Sequence, residues 1–118
     1  MIDGTPLSIG EVAARLNVTV SQVRWLEHQR LVSPQLDADG RRQYLPHVVT
    51  FLRFYWSARR LGLTHEEVVR VAESADKHHV PSTASLRDVL AEWREEASRR
   101  ETAITALMRA TDQEHARP

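Results

Sequence analysis

Thr19, Ser21, Gln22, Arg24, Trp25 and His28 fall within the single stretch TVSQVRWLEH. A guanidinium can hold a phosphate, or the O6/N7 edge of a guanine, with two hydrogen bonds; hydroxyl and amide groups can meet individual base edges. An indole adds a broad apolar ring with one N–H donor. On a helix, at 100° per residue, Val23, Leu26 and Glu27 fall on the side of Val20. Ser21, Trp25, His28 and Gln29 point the other way, with Arg24 and Gln22 on the flanks. The tryptophan therefore lies opposite the core-facing side. Either a neighbouring segment covers it or it is presented to a partner, and the helix alone leaves both open.

Such an array needs short elements to hold it. Ser8-Ile9-Gly10-Glu11 has the S-x-x-E form of a capping box, and Ile9, Val12, Ala13 and Leu16 follow at helical spacing. Asn17-Val18 makes a turn, and Thr19 with Gln22 gives a second box, T-x-x-Q. Two capped helices across so tight a turn predict a helix-turn-helix. The stretch QLDADGRRQY then places Asp39-Gly40 between two short strands, with Arg41, Arg42 and Tyr44 on the returning arm. A helix-turn-helix followed by a basic hairpin is a winged helix. Pro46 opens a third helix with Val48, Phe51, Leu52, Tyr55 and Ala58 on its apolar face, and Gly62 is its stop signal. Thr64 and Glu67 form a third capping box ahead of a short fourth helix carrying Val68, Val71, Ala72 and Ala75.

Residues 76–84, DKHHVPSTA, break the periodicity and are expected to link two parts: a winged domain over residues 1–75 and a helix with its tail over 85–118. From Ser85 onward Leu86, Leu90, Trp93, Ala97, Arg100, Ile104, Leu107 and Thr111 are spaced alternately four and three apart, which is one coiled-coil seam. A helix roughly 40 Å long leaves so narrow a stripe open unless another helix meets it. A second copy of the chain, or its own domain, would supply the cover. Leu86, Leu90, Trp93, Ala97, Ile104 and Leu107 are the expected dimer contacts.

The formal net charge of zero conceals a division. Residues 1–62 carry eight Arg against five acids, and residues 63–118 carry eight Lys or Arg against eleven acids. A basic half and an acidic appendage follow. With 118 residues and 42% hydrophobic content the chain can build one modest core. Cysteine is absent, which excludes disulfides, thiolate metal sites and thiol redox switches. No stretch approaches the apolar length of a membrane span, and no basic segment leads into an apolar run, so a soluble cytoplasmic protein is expected.

In order and without gaps, SIGEVAARLNVTVSQVRWLE, RLVSP, GRRQY and RRLGLTHEEV resemble the DNA-binding domain of the MerR-type transcriptional regulators. That family reads as a capped first helix, a recognition helix T-L-R-Y-Y-E, a G-L-x-x-P bend, a G-Y-R-x-Y wing and a third helix ending L-G-[FL]-[ST]-x-x-E. The likeness covers about residues 7–72 and is followed by the long dimerisation helix the family also has. It implies a mainly α fold, a winged helix-turn-helix with a small β-hairpin wing and a long C-terminal dimerisation helix. It also implies a sequence-specific regulator that binds double-stranded DNA at an inverted-repeat promoter site as a homodimer. The two copies would join through an antiparallel coiled coil, with RNA polymerase as a partner at the promoter and the nucleoid as the place of work. By the same resemblance Thr19, Ser21, Gln22, Arg24, Trp25 and His28 face the DNA, and Arg41, Arg42 and Tyr44 serve the wing, where Arg42 and Tyr44 match residues that contact backbone. Leu26 stands where the family has a second tyrosine, Arg41 where the wing has tyrosine, and Leu45 and Val48 where the third helix has a capping serine and an acid.

Metal-sensing and redox-sensing relatives carry cysteines near the dimer helix and drug-sensing ones append a ligand domain; these 118 residues hold no cysteine, and a regulator without a separate ligand domain is expected. His65, Asp76, His78 and His79 are ligand types, but adjacent histidines diverge on regular structure, so neither a metal nor a cofactor is expected. A protein-binding adaptor of the chaperone-modulator type is the alternative reading, from which the basic wing and outward Arg24 distinguish a DNA binder. No nucleophile is paired with a base and no glycine-rich phosphate loop occurs, which speaks against an enzyme.

Overall fold

A computed structural model describes residues 4–76 and 79–116. Its order is β1 (Leu7–Ser8), α1 (Ile9–Leu16), α2 (Val20–His28), β2 (Gln35–Leu36), β3 (Arg42–Tyr44), α3 (Pro46–Arg60), α4 (His65–Ala75) and α5 (Thr83–Ala116). Each capping box closes as expected. Ser8, Thr19 and Thr64 accept from the backbone N–H three residues on, and Glu11, Gln22 and Glu67 accept from the backbone N–H of the cap in return. These reciprocal bonds satisfy helix-start donors that have no partner within the helix. Asn17, in the left-handed region at φ 56°, ends α1 and lets α2 begin three residues later. α3 starts at Pro46 without any side-chain cap, because a proline at that position gives up a donor that would be orphaned anyway.

The wing is a three-stranded antiparallel sheet in the order β1-β3-β2. Leu7 pairs with Tyr44, so the segment ahead of α1 forms a strand that the hairpin pattern alone does not announce. At the hairpin tip Gly40 takes φ 78°, and the Asp37 carboxylate accepts from the backbone N–H groups of Asp39 and Arg41, both at 2.9 Å. The N–H of Arg41, ahead of lesser contributors, holds the Asp37 carboxyl below its ordinary value.

One core joins the elements. Val12 and Leu16 of α1, Val23 and Leu26 of α2, Phe51, Leu52 and Tyr55 of α3, and Val68 and Val71 of α4 are all buried. α5 starts at Thr83, two residues ahead of the expected Ser85, with the Ser82 hydroxyl accepting from the Ser85 N–H at 3.1 Å. Its first turns are part of this core through Leu86 and Val89. The remainder projects: 34 residues of helix stretch the molecule to 78 × 26 × 25 Å. No helix among the described residues is long and apolar enough to cross a membrane.

Candidate nucleic-acid interface

α2 turns Val23 and Leu26 wholly inward and leaves Ser21, Gln22, Arg24, Trp25 and His28 exposed, as the 100° geometry requires. Thr19, at the cap, is exposed as well. Its backbone N–H donates to Gln22 Oε1 at 2.8 Å, and its hydroxyl accepts from the Gln22 N–H at 3.1 Å. The amide oxygen of Gln22 is thus engaged in holding the start of the helix.

Trp25 is 45% exposed, so neither alternative for its ring is complete. His65, the first residue of α4, stands edge-on to it with ring centroids 4.9 Å apart. His65 Nδ1 in turn lies 2.9 Å from the Tyr55 hydroxyl of α3. Burial pushes that phenol above its ordinary value, which keeps it protonated at neutral pH. A chain of three rings therefore braces the outward tryptophan from behind. His65 had a place in the sequence only as a candidate ligand type, and in the structure it supports Trp25 instead.

The wing meets α2 through charge. Arg42 Nε donates to Glu27 Oε2 at 3.0 Å, with the arginine side chain 45% exposed and the glutamate 12%. The inner edge of the guanidinium is fixed while its outer part stays accessible, a geometry suited to a phosphate. Arg41 is exposed beside it. Tyr44 corrects the expectation: its side chain is fully buried and its hydroxyl has no hydrogen-bond partner among the described residues. At the inner end of β3, paired with Leu7, it packs the wing onto the core and cannot reach DNA backbone from there.

Trp56, Arg59 and Arg60 from the end of α3 line a shallow groove with Ser21, Gln22 and Trp25. Arg59 donates to the Leu63 carbonyl at 3.1 Å and Arg60 to the Leu16 carbonyl at 3.3 Å, which fixes both cations beside α2. The Arg59-Arg60 pair ahead of Gly62 is legible in the sequence, but only the crossing of α3 behind α2 brings it to this face. Among the described residues no group of three His, Asp or Glu side chains stands close enough to hold a metal ion. His79 bonds locally to Asp76, and His78 lies outside the described residues.

The expected dimer seam divides in two. Leu86 is buried against its own domain, which corrects its assignment as an intermolecular contact. Leu90 and Trp93 are half-buried on the same core, and the Arg70 guanidinium of α4 lies over the Trp93 ring at 5.6 Å. α4 takes the cover that the heptad pattern reserved for a second helix. Beyond Trp93 the seam is open: Ala97 is exposed, as are Ile104 and Leu107 at 56% and 67%.

Comparison with known proteins agrees with this architecture. The family model for the MerR HTH family regulatory protein matches residues 7–75. The HTH-type transcriptional regulator HmrR of Rhizobium leguminosarum bv. viciae is 28% identical over 109 residues, covering 90% of this chain and 81% of its own length. HiNmlR, a MerR family regulator lacking the sensor domain and solved bound to promoter DNA, superposes with a TM-score of 0.62 at 15% identity, over 91% of this chain and 79% of that one. A MerR family regulator from Bacillus thuringiensis gives 0.58 at 15% identity, over 93% and 94%. The capped helix-turn-helix, the basic wing and the family match across more than half of the chain agree: the protein belongs to the MerR HTH family of DNA-binding transcriptional regulators.

Proposed function

We propose that the chain is a sequence-specific regulator acting as a homodimer on an inverted-repeat promoter site. The observation that carries this is the exposed side of α2, on which Ser21, Gln22 and Trp25 stand beside Arg59 and Arg60, with Arg24 exposed on the same helix and Arg42 clamped to it. α2 would enter the major groove, and Arg41 and Arg42 would grip the flanking phosphates. Thr19 and His28 lie at the two ends of that helix, within reach of the groove walls. Arg24 can take either a phosphate or a guanine edge.

Dimerisation through the far part of α5 is the second element of the proposal. Ile104, Leu107 and Met108 form an exposed apolar strip on a helix that leaves its own domain behind. A second copy laid antiparallel would cover it, and would carry two recognition helices to symmetric half-sites. On this reading residues 1–75 are the DNA-binding unit, 76–84 the linker and 85–118 the dimerisation helix and tail, and RNA polymerase at the promoter is the further partner. Footprinting on DNA upstream of the protein's own gene, alongside analytical ultracentrifugation, tests both parts. Two protected half-sites and a dimer are expected. A monomer, or binding that competitor DNA of any sequence removes equally, would refute the proposal.

A further inference from the structure

The amide of Gln22 is oriented by chemistry rather than by assumption. The backbone N–H of Thr19 can only donate, so the Gln22 atom 2.8 Å from it must be the oxygen. Its carbonyl is consequently turned toward the cap, and the NH₂ group with its two hydrogens is the end that the amide directs away from it. We propose that Gln22 reads DNA through its NH₂ group, as a donor, and selects guanine, inverting the pairing in which glutamine takes adenine with one donor and one acceptor. The inference rests on the DNA-binding reading given above.

The major-groove code makes the selection specific. Guanine presents two acceptors, N7 and O6, which one NH₂ group can bridge. Adenine presents N7 beside an N6 donor, which an amide whose oxygen is turned to the cap leaves unanswered; thymine presents one acceptor beside a methyl group, half of what guanine offers; and cytosine presents only a donor. Adenine could be read only if Gln22 swung out of the cap. Swinging out gives up the bond from the Thr19 N–H and with it half of the capping box, which sets adenine at a disadvantage. The position of Gln22 beside Arg59 and Arg60 on the exposed face places the donor where a DNA strand would run.

The test uses the full chain and a duplex selected by it from a randomised pool. The base pair read by Gln22 is the one whose preference disappears in Gln22→Ala. Guanine is expected there, and replacing it with 7-deazaguanine should weaken the wild type about tenfold while leaving Gln22→Ala unaffected. Gln22→Glu keeps an oxygen for the Thr19 N–H, so its thermal midpoint should hold, but it offers an acceptor outward; its selected motif should change to cytosine at that position. An adenine at that position, with binding weakened when unsubstituted purine replaces it, would overturn the proposal, as would a Gln22→Ala motif identical to that of the wild type. A wild-type selection that enriches no motif at all would instead bring down the regulator reading itself.

Discussion

Replacing Trp25 by alanine separates presentation of the ring from packing. A tryptophan offers about 250 Å² of surface, so 45% exposure leaves roughly 140 Å² covered. Backbone and Cβ, which alanine keeps, account for about 60 Å² of that; the remaining ~80 Å² is worth about 2 kcal/mol at roughly 25 cal/mol per Å². A fully buried aromatic costs about 3 to 5 kcal/mol to delete, and a surface residue about 0.5 or less. The variant should fall between them, because His65 covers one edge of the ring and leaves the other open. Chemical denaturation gives the stability, and a DNA titration at a temperature where the variant stays folded gives the affinity. A drop of about tenfold or more in affinity is expected beyond any unfolded fraction. Trp25→Phe should recover part of it through apolar contact without the N–H donor. A stability loss near 4 kcal/mol, with affinity following only the folded population, would refute a DNA-facing role for the indole.

Tyr44→Phe removes a buried hydroxyl that has no partner among the described residues, so stability should hold or rise by up to about 1 kcal/mol, with the salt dependence of DNA binding unchanged; a shallower salt slope would restore Tyr44 as a backbone contact. Truncation after Ala97 keeps Leu86, Val89 and Trp93 on the core but removes the open seam, so the product should unfold cooperatively and sediment as a monomer. A truncated dimer would place the interface elsewhere. Backbone N–H groups of Ser8 and Thr64 hold the carboxyls of Glu11 and Glu67 below the ordinary 4.5. Groups depressed in this way add stability above their unfolded value and lose it as pH falls through the folded one, so thermal stability should decline on acidification below about 4.5. Glu67→Gln accepts the same N–H without titrating and should flatten part of that decline; an unchanged pH profile would disprove the contribution of the Glu67 cap.

What the sequence disclosed followed the range of the interactions involved. The three capping boxes join residues three apart, so Ser8 with Glu11, Thr19 with Gln22 and Thr64 with Glu67 were readable directly and mark helix starts to the residue. The direction of Trp25 was also local, being fixed by helical geometry. Its partial cover was not, since His65 arrives from α4. β1 is two residues long and exists only through Tyr44 and Gln43, which no periodicity in its own neighbourhood records. Tyr44 shares a strand with Arg42, and alternation puts the two on one face. It could not tell that the inner end of that face is closed by the core while Glu27 turns the outer end toward solvent. The seam of α5 posed the same difficulty, because a four-three pattern states that an apolar strip is covered without naming the chain that covers it. α4 takes Leu86 and shares Trp93, and beyond that point the described residues of the protomer supply no cover.

The seating of Trp93 under Arg70 makes the root of α5 a fulcrum. From Trp93 to Ala116 the helix runs on for about 35 Å, so a tilt of about 5° at that contact swings its far end by about 3 Å, close to the rise of one DNA base pair. In a pair of such levers joined tip to tip, the distance between the two recognition helices is set where each lever meets its own domain. A change of side chain at Arg70 or Trp93, remote from every base, would then alter the half-site spacing that the pair prefers.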